Sequence, residues 1–516
     1  MKNISIRYQK NLGLFLILLL FIAHPAVAQQ AKQQWQYTVS PQPAQKGVHV
    51  QLKLTGETEK TIVFKMPVWT PGYYQLMDFA KNVSNFKAAD ASGKVLSWKQ
   101  NANAWTVDSN PNAGIVLDYD VKTDRNFVGA NYIDENHLFL SPAGIFLHAA
   151  TIKQPVTVTL QPYTGWTKLA SGMEYLKSDT TTYAAPDFDI LYDSPILMGK
   201  LETLPAFKIK GIPHNFVGFD MGEFDHVRFM ADMKKIIESG IAVIGDIPYK
   251  NYTFLSIGAG GGGIEHLNSA AVTFKGSTLD NPKGRLKVYS FLAHEYFHNY
   301  NVKRIRPIEL GPFDYDKENP TELLWVSEGF TVYYEYLMVH RAGLSTSEEF
   351  TDQLRTNLIA YENKPGHLYQ SVTQSSFQTW TYGPSVKKED ADKTISYYDK
   401  GPILGLMLDM KIRQETKNKK SLDNVMRNLY KQYYQKLKRG FTPQEFRTAC
   451  EQAAGVDLSE FFSYATTTVA PNYIKYFAYA GLDIDVKSGN FEMKRVLQPT
   501  ALQQKIYAAI FGNSDK

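Results

Sequence analysis

Along the first third of the chain, apolar and polar residues alternate with a period of two. Val48-His49-Val50-Gln51-Leu52-Lys53-Leu54, Thr61-Ile62-Val63-Phe64 and Val156-Thr157-Val158-Thr159-Leu160 are such runs. In a strand, successive side chains point to opposite faces, so each run predicts a strand with one buried face. Turn formers separate the runs, as in Asp90-Ala91-Ser92-Gly93 and Asn110-Pro111-Asn112. Repeated short strands with turns between them predict an antiparallel β-sandwich over residues 29–204.

Beyond Leu204-Pro205 the period changes. Val227, Met230, Met233 and Ile237 recur at helical spacing and predict a helix over about Phe224 to Ser239. A strand is expected at Tyr252-Thr253-Phe254-Leu255-Ser256-Ile257, followed by the glycine run Gly258-Ala259-Gly260-Gly261-Gly262-Gly263. Asp280-Asn281-Pro282 then supplies a cap and a first-turn proline for a helix with Leu286, Tyr289, Leu292 and Phe297 on its apolar positions. Strands alternating with helices predict an α+β domain over 205–345. From 346 to 480 the chain reads as helical. Thr442-Pro443-Gln444-Glu445 forms a capping box, and Asp457-Leu458-Ser459-Glu460 starts a further helix after Gly455. Residues 481–516 read as a short tail. The fold class expected is therefore multidomain α+β, with a β-sandwich, a mixed α+β domain and a helical domain.

Lys2, Arg7 and Lys10 precede an uncharged apolar run from Leu12 to Ala23, and Ala26-Val27-Ala28 follows as a small-x-small site. This predicts a signal peptide over residues 1–28, cleaved after Ala28, and a secreted or periplasmic product with no stable membrane anchor. Those residues hold three basic and no acidic groups, so removing them takes the formal charge from +5 to +2. A nearly balanced surface offers no argument for binding nucleic acid. Cys450 is the sole cysteine of the 516 residues, which excludes an intrachain disulfide and reads as a small buried residue of a helix.

The chemistry lies in His294-Glu295-Tyr296-Phe297-His298. Positions i and i+4 of a helix share a face, so both imidazoles can grip one metal ion, with Glu295 beside them. His-Glu-x-x-His is a known zinc-protease pattern, and a catalytic zinc keeps one position open for water. A third ligand is expected from Glu328, in the apolar run Leu324-Trp325-Val326-Ser327-Glu328-Gly329-Phe330, where an unpaired carboxylate would be costly. Glu335, seven positions on, either orients a ligand or lies on the helix surface. The glycine run lacks the Lys-Ser/Thr of a phosphate loop, so Gly262 and Gly263 are read as letting a peptide lie along an edge strand. Glu265 then either holds a substrate ammonium or is a solvated loop carboxylate. Among 32 tyrosines, Tyr398 either donates to an oxyanion or simply packs. Trp69-Thr70-Pro71-Gly72-Tyr73-Tyr74 is read as a turn with aromatic packing.

Taken together, these segments resemble the gluzincin metallopeptidases and, more closely, the glycyl aminopeptidase family. The resemblance is carried by Trp69-Thr70-Pro71-Gly72, Gly262-Gly263-Ile264-Glu265-His266, the His294–His298 motif, Asn301-Val302-Lys303-Arg304-Ile305-Arg306-Pro307, Trp325-Val326-Ser327-Glu328-Gly329 and Tyr398-Asp399-Lys400-Gly401. It implies a β-sandwich, a thermolysin-like catalytic domain and a helical domain, with one zinc ion per chain held by His294, His298 and Glu328. It also implies Glu295 as catalytic base, Tyr398 as transition-state tyrosine and Glu265 as the holder of the free amino group. His266 stands where the wider aminopeptidase group carries Asn. Peptides with a free N-terminus are the implied substrates, with Gly or Ala first. The PDZ domain common in the family is not expected within the short tail. An endopeptidase of the same clan and a non-catalytic peptide-binding protein are the rival readings.

Overall fold

The computed structural model describes residues 33–149, 151–176, 180–258, 260–382 and 390–512. The expected signal peptide and its cleavage point lie outside them. Among the described residues, no helix is long and apolar enough to cross a membrane.

The alternating runs form strands as their period requires. Gln34–Gln42 and Gly47–Thr55 make a hairpin in which Trp35 faces Leu54, Tyr37 faces Leu52 and Val39 faces Val50, all buried. They sit within a seven-stranded sheet. Thr61–Lys65, Trp98–Asn101 and Ala104–Asp108 form a three-stranded sheet. Edge-to-face packing of Trp35 on Phe64, at 6.0 Å, and stacking of Phe86 on Trp105, at 5.6 Å, join the two sheets in one core. One pairing departs from the antiparallel expectation. Gln34–Gln42 lies parallel to Val156–Leu160, more than a hundred residues away in sequence, and a pattern of alternation carries no information on strand direction.

The next region is a six-stranded mixed sheet. Ile212–Gly218, Tyr252–Ser256 and Ser269–Val272 run parallel, and Gly263–Glu265 lies antiparallel at the edge. The first crossover is the helix His226–Ile244, capped by the Asp225 side chain. It runs past Ser239 because Gly240 is a packing glycine and no stop. A methyl there would lie 2.8 Å from Met338 and 3.1 Å from Tyr296. The helix ends instead at Gly245, in the left-handed region with φ 88°.

Phe330–Arg341 packs on His226–Ile244 and on the helix Pro282–Phe297, Tyr397–Glu415 packs on Phe330–Arg341, and Ser347–Glu362 and Pro443–Ala454 pack on Tyr397–Glu415. A continuous apolar cluster runs from Phe216 through Tyr296, Leu404 and Phe446 to Phe511. Cys450 is buried on its helix, and the Thr442–Glu445 capping box is present. The helix expected to start from Asp457 has Leu458 at its cap, with Asp457 accepting the Ser459 N–H at 3.0 Å. Part of the expected tail is folded. Leu482–Ile484 pairs with Met493–Arg495, and the helix Ala501–Phe511 buries Ile506, Ile510 and Phe511.

Candidate active site

The helix Pro282–Phe297 starts from Asn281, whose Oδ1 accepts the Gly284 N–H at 2.7 Å. Its last turn carries His294 and Glu295, and His298 closes it. Glu328 arrives from a wide π-helical turn, Trp325–Gly329, that leads into Phe330–Arg341. Such widened turns recur at functional sites.

Among the described residues, His294, His298 and Glu328 form the one His, Cys, Asp or Glu group whose ligand atoms lie within 4.8 Å of one another. The two imidazole Nε2 atoms are 2.9 Å apart, and Glu328 Oε2 is 3.2 Å from that of His298 and 3.5 Å from that of His294. Each Nδ1 is already engaged. His294 Nδ1 donates to Glu335 Oε2 at 2.6 Å, and His298 Nδ1 donates to the Asn301 carbonyl at 2.6 Å. Both Nε2 lone pairs therefore face the same point as a carboxylate oxygen, an arrangement that calls for a cation. Two imidazoles and one carboxylate suit zinc with an open position. Burial raises the Glu328 carboxyl, but the imidazoles of His298 and His294 outweigh it and hold that carboxyl well below its usual range. Burial likewise opposes a charged His294, yet its bonds to Glu328 and Glu335 outweigh that and raise its pKa, so the site favours positive charge at the Nε2 atoms, whether a proton or a metal ion supplies it.

Three groups support the ligands. Glu335 orients His294, the first of the two roles read from its spacing. The Asn301 side chain donates to the Val326 and Ser327 carbonyls, at 2.8 and 3.1 Å, and to Thr331 Oγ1 at 3.0 Å. It thereby binds the π turn to the segment that orients His298. Tyr74 donates to Glu328 Oε1 at 3.4 Å. The Trp69–Tyr74 loop is thus more than a packed turn, although Trp69 does pack edge-on against Trp380 at 5.2 Å. Nothing in the local pattern distinguishes Tyr74 from Tyr73.

Glu295 is buried, and its Oε2 has no hydrogen-bond partner among the described residues. Burial pushes its carboxyl up to about 7, with His294 and His298 pulling the other way. The edge strand Gly263–Glu265 passes directly beside it, and a methyl on Gly263 would collide with the Glu295 carboxylate. Gly262 lies just before that strand with φ 90°. Glu265 is buried too, with Oε1 unpartnered among the described residues. The ring of Tyr398 is 6.3 Å from that of His294 and remains 39% exposed. A cavity of about 420 Å³ opens here, with Gly72, Tyr74, Thr379, Tyr397 and Tyr398 among its walls.

Residues 36–200 match the Peptidase M61 N-terminal domain, and residues 287–404 match M61 glycyl aminopeptidase. Among solved structures, the aminopeptidase N family protein from Idiomarina loihiensis is 27% identical with a TM-score of 0.83, over 88% of this chain and 79% of that one. The M1 zinc metallopeptidase from Deinococcus radiodurans, 12% identical with a TM-score of 0.51 over 86% and 96% of the two chains, shares the fold. So does a mutant of that enzyme bound to a Tyr-Ser-Ala substrate, at 13% identity and a TM-score of 0.52 over the same shares. No curated protein matches the chain.

Proposed function

This chain belongs to the M61 glycyl aminopeptidase family and is a zinc metallopeptidase; from that premise we propose that it removes N-terminal residues, Gly and Ala preferred, from peptides outside the cytoplasm. His294, His298 and Glu328 would hold one zinc ion per chain. The observation that carries the aminopeptidase reading is Glu265, a buried carboxylate with an unpartnered oxygen on an edge strand beside the catalytic helix. A buried carboxylate in that position, with an oxygen that accepts no hydrogen bond from a described residue, suits a substrate ammonium.

The peptide lies along Gly262 and Gly263, where the absence of side chains lets two backbones approach. Glu265 pairs with the ammonium and sets the register, so the first peptide carbonyl comes to rest between Glu295 and Tyr398. Bound zinc supplies Lewis acidity and lowers the pKa of water. Glu295 takes the proton of the attacking water and passes it to the leaving amine. Its carboxyl, raised to about 7 by burial, is basic enough for this task. The Tyr398 hydroxyl donates to the developing oxyanion. The first side chain enters the cavity between Gly72 and Tyr398.

Extracellular action rests on the signal-like N-terminus, and the preference for Gly and Ala on the family resemblance. The test compares glycyl, alanyl and larger aminoacyl chromogenic substrates with their N-acetylated forms, with and without a chelator. Rapid turnover of acetylated substrates would replace the aminopeptidase reading with an endopeptidase one. Turnover that persists after complete metal removal would end the zinc assignment.

A further inference from the structure

Behind Glu265 lies a buried charge cluster of Asp193, Lys303 and His266 that takes no part in the steps above. Asp193 sits at the end of the short helix Phe188–Tyr192 in the β-rich region. Lys303 follows the catalytic helix, Glu265 ends the edge strand and His266 comes directly after it. Asp193 Oδ1 accepts from Lys303 Nζ at 2.8 Å and pairs with His266 Nδ1 at 3.1 Å, while Oδ2 accepts the Leu267 N–H at 2.8 Å. Three donors from two other segments thus anchor one carboxylate. Lys303 is itself buried, so its ammonium is held where Asp193 puts it.

That ammonium lies 3.7 Å from Glu265 Oε1. The separation is too long for a hydrogen bond and short for a Coulomb interaction in a buried site. On another side of the same carboxylate is Gly72, where a methyl would lie 2.9 and 3.1 Å from the two oxygens. Glu265 is therefore confined by a glycine backbone and faced by a fixed cation, and its Oε1 accepts no hydrogen bond from a described residue.

We infer that Lys303, clamped by Asp193, is the positioning residue that holds Glu265 in place to meet the substrate's ammonium, so the β-rich region takes part in selecting free N-termini. The inference rests on reading Glu265 as the amine anchor. A buried carboxylate needs a cation near it to offset the cost of its desolvation. Lys303 compensates it without occupying its lone pairs, because Asp193 holds the ammonium back from hydrogen-bonding distance. The Glu265 lone pairs are then left for the incoming ammonium. A lysine hydrogen-bonded to Glu265 would compete with the substrate instead.

The experiment uses the zinc-loaded full chain and two hydroxamates, glycine hydroxamate with an ammonium group and acetohydroxamate without one. Wild type is expected to bind the first more tightly. If it does not, the reading of Glu265 itself fails. In Lys303→Met, the advantage of glycine hydroxamate is expected to fall by about tenfold or more, while acetohydroxamate binding stays within about twofold. KM for glycyl substrates rises more than kcat falls, and Lys303→Arg recovers part of the loss. Asp193→Asn, which leaves the lysine in place but unclamped, gives a smaller loss of the same kind and serves if Lys303→Met does not fold. A wild type that discriminates, with well-folded variants that discriminate equally well, overturns the inference. Equal weakening of both hydroxamates overturns it too, since that marks a general structural role.

Discussion

The backbone of Gly329, one residue past Glu328, lies against the backbone of Gly401, three residues past Tyr398. A methyl added to either would sit 2.5 Å from the Cα of the other. Two segments far apart in the chain are thereby locked together, one carrying a metal ligand and the other the tyrosine beside it. Replacing Gly401 with Ala is expected to destabilise the protein by about 1–3 kcal/mol, the usual cost of overpacking. Turnover should fall by about a hundredfold, because a displacement of the tyrosine by about an ångström is enough. Urea unfolding and steady-state kinetics check the two effects. A Gly401→Ala enzyme with normal kcat would show that the contact does not place Tyr398.

Glu295 is expected to be essential for turnover and dispensable for the metal. Glu295→Gln should bind zinc normally and lose about 10²- to 10⁴-fold in kcat, the range for a general base. The group must be ionised to accept a proton, so activity falls as pH falls through its pKa. That carboxyl sits near 7 through burial, and a dication held by the ligands would draw it lower. The acidic limb of the wild-type pH profile should therefore lie below 7 and be missing from the residual activity of the variant. Metal content by elemental analysis, together with pH–rate profiles, decides the matter.

Asn301 links the two halves of the ligand set. Its carbonyl accepts from His298, and its side chain donates to the π turn that presents Glu328. Asn301→Ala keeps the first contact and removes the others. Zinc affinity is expected to drop by about 10- to 100-fold, the range for groups that orient ligands. Competition with a chromogenic chelator measures it. An unchanged affinity would mean that the turn holds its shape without the asparagine.

Lys400 is buried, with its ammonium 4.8 Å from the Tyr361 ring centre and no hydrogen-bond partner among the described residues. Burial lowers its pKa from 10.5 to about 8, against the pull of Glu362. Below pH 8 the lysine is charged in both the folded and unfolded chain, and the folded state bears the full cost of burying it. Between about 8 and 10.5 the folded protein sheds the proton first, so that cost fades as pH rises. The stability of Lys400→Met relative to wild type should therefore be greater at pH 7 than at pH 10, by on the order of 2 kcal/mol. Denaturant titrations at the two pH values test this, and a difference that does not change with pH would refute it.

Much of this molecule was legible from short stretches of sequence. Alternation from Val48 to Leu54 defines a strand and its buried face because side-chain direction repeats every two residues. Asn281 and Pro282 start a helix through bonds made within four residues, and the same helix geometry sets His294 over His298. Glu328 was readable as well, because a carboxylate among apolar residues needs a partner. Other features depended on which surfaces meet. The helix expected to end near Ser239 continues to Ile244, with Met338 and Tyr296 packed against Gly240. Tyr74 and Asp193 carry no local mark of function, and each gains its role from a neighbour distant in sequence, Glu328 or Lys303. The parallel pairing of Trp35 with Val156 is of the same kind. Local periodicity and capping act through bonds between near neighbours, so the sequence by itself determined the elements and the metal-binding face. Contacts between remote segments depend on how whole faces pack, so only the tertiary structure decided what surrounds the metal site and what stands behind Glu265.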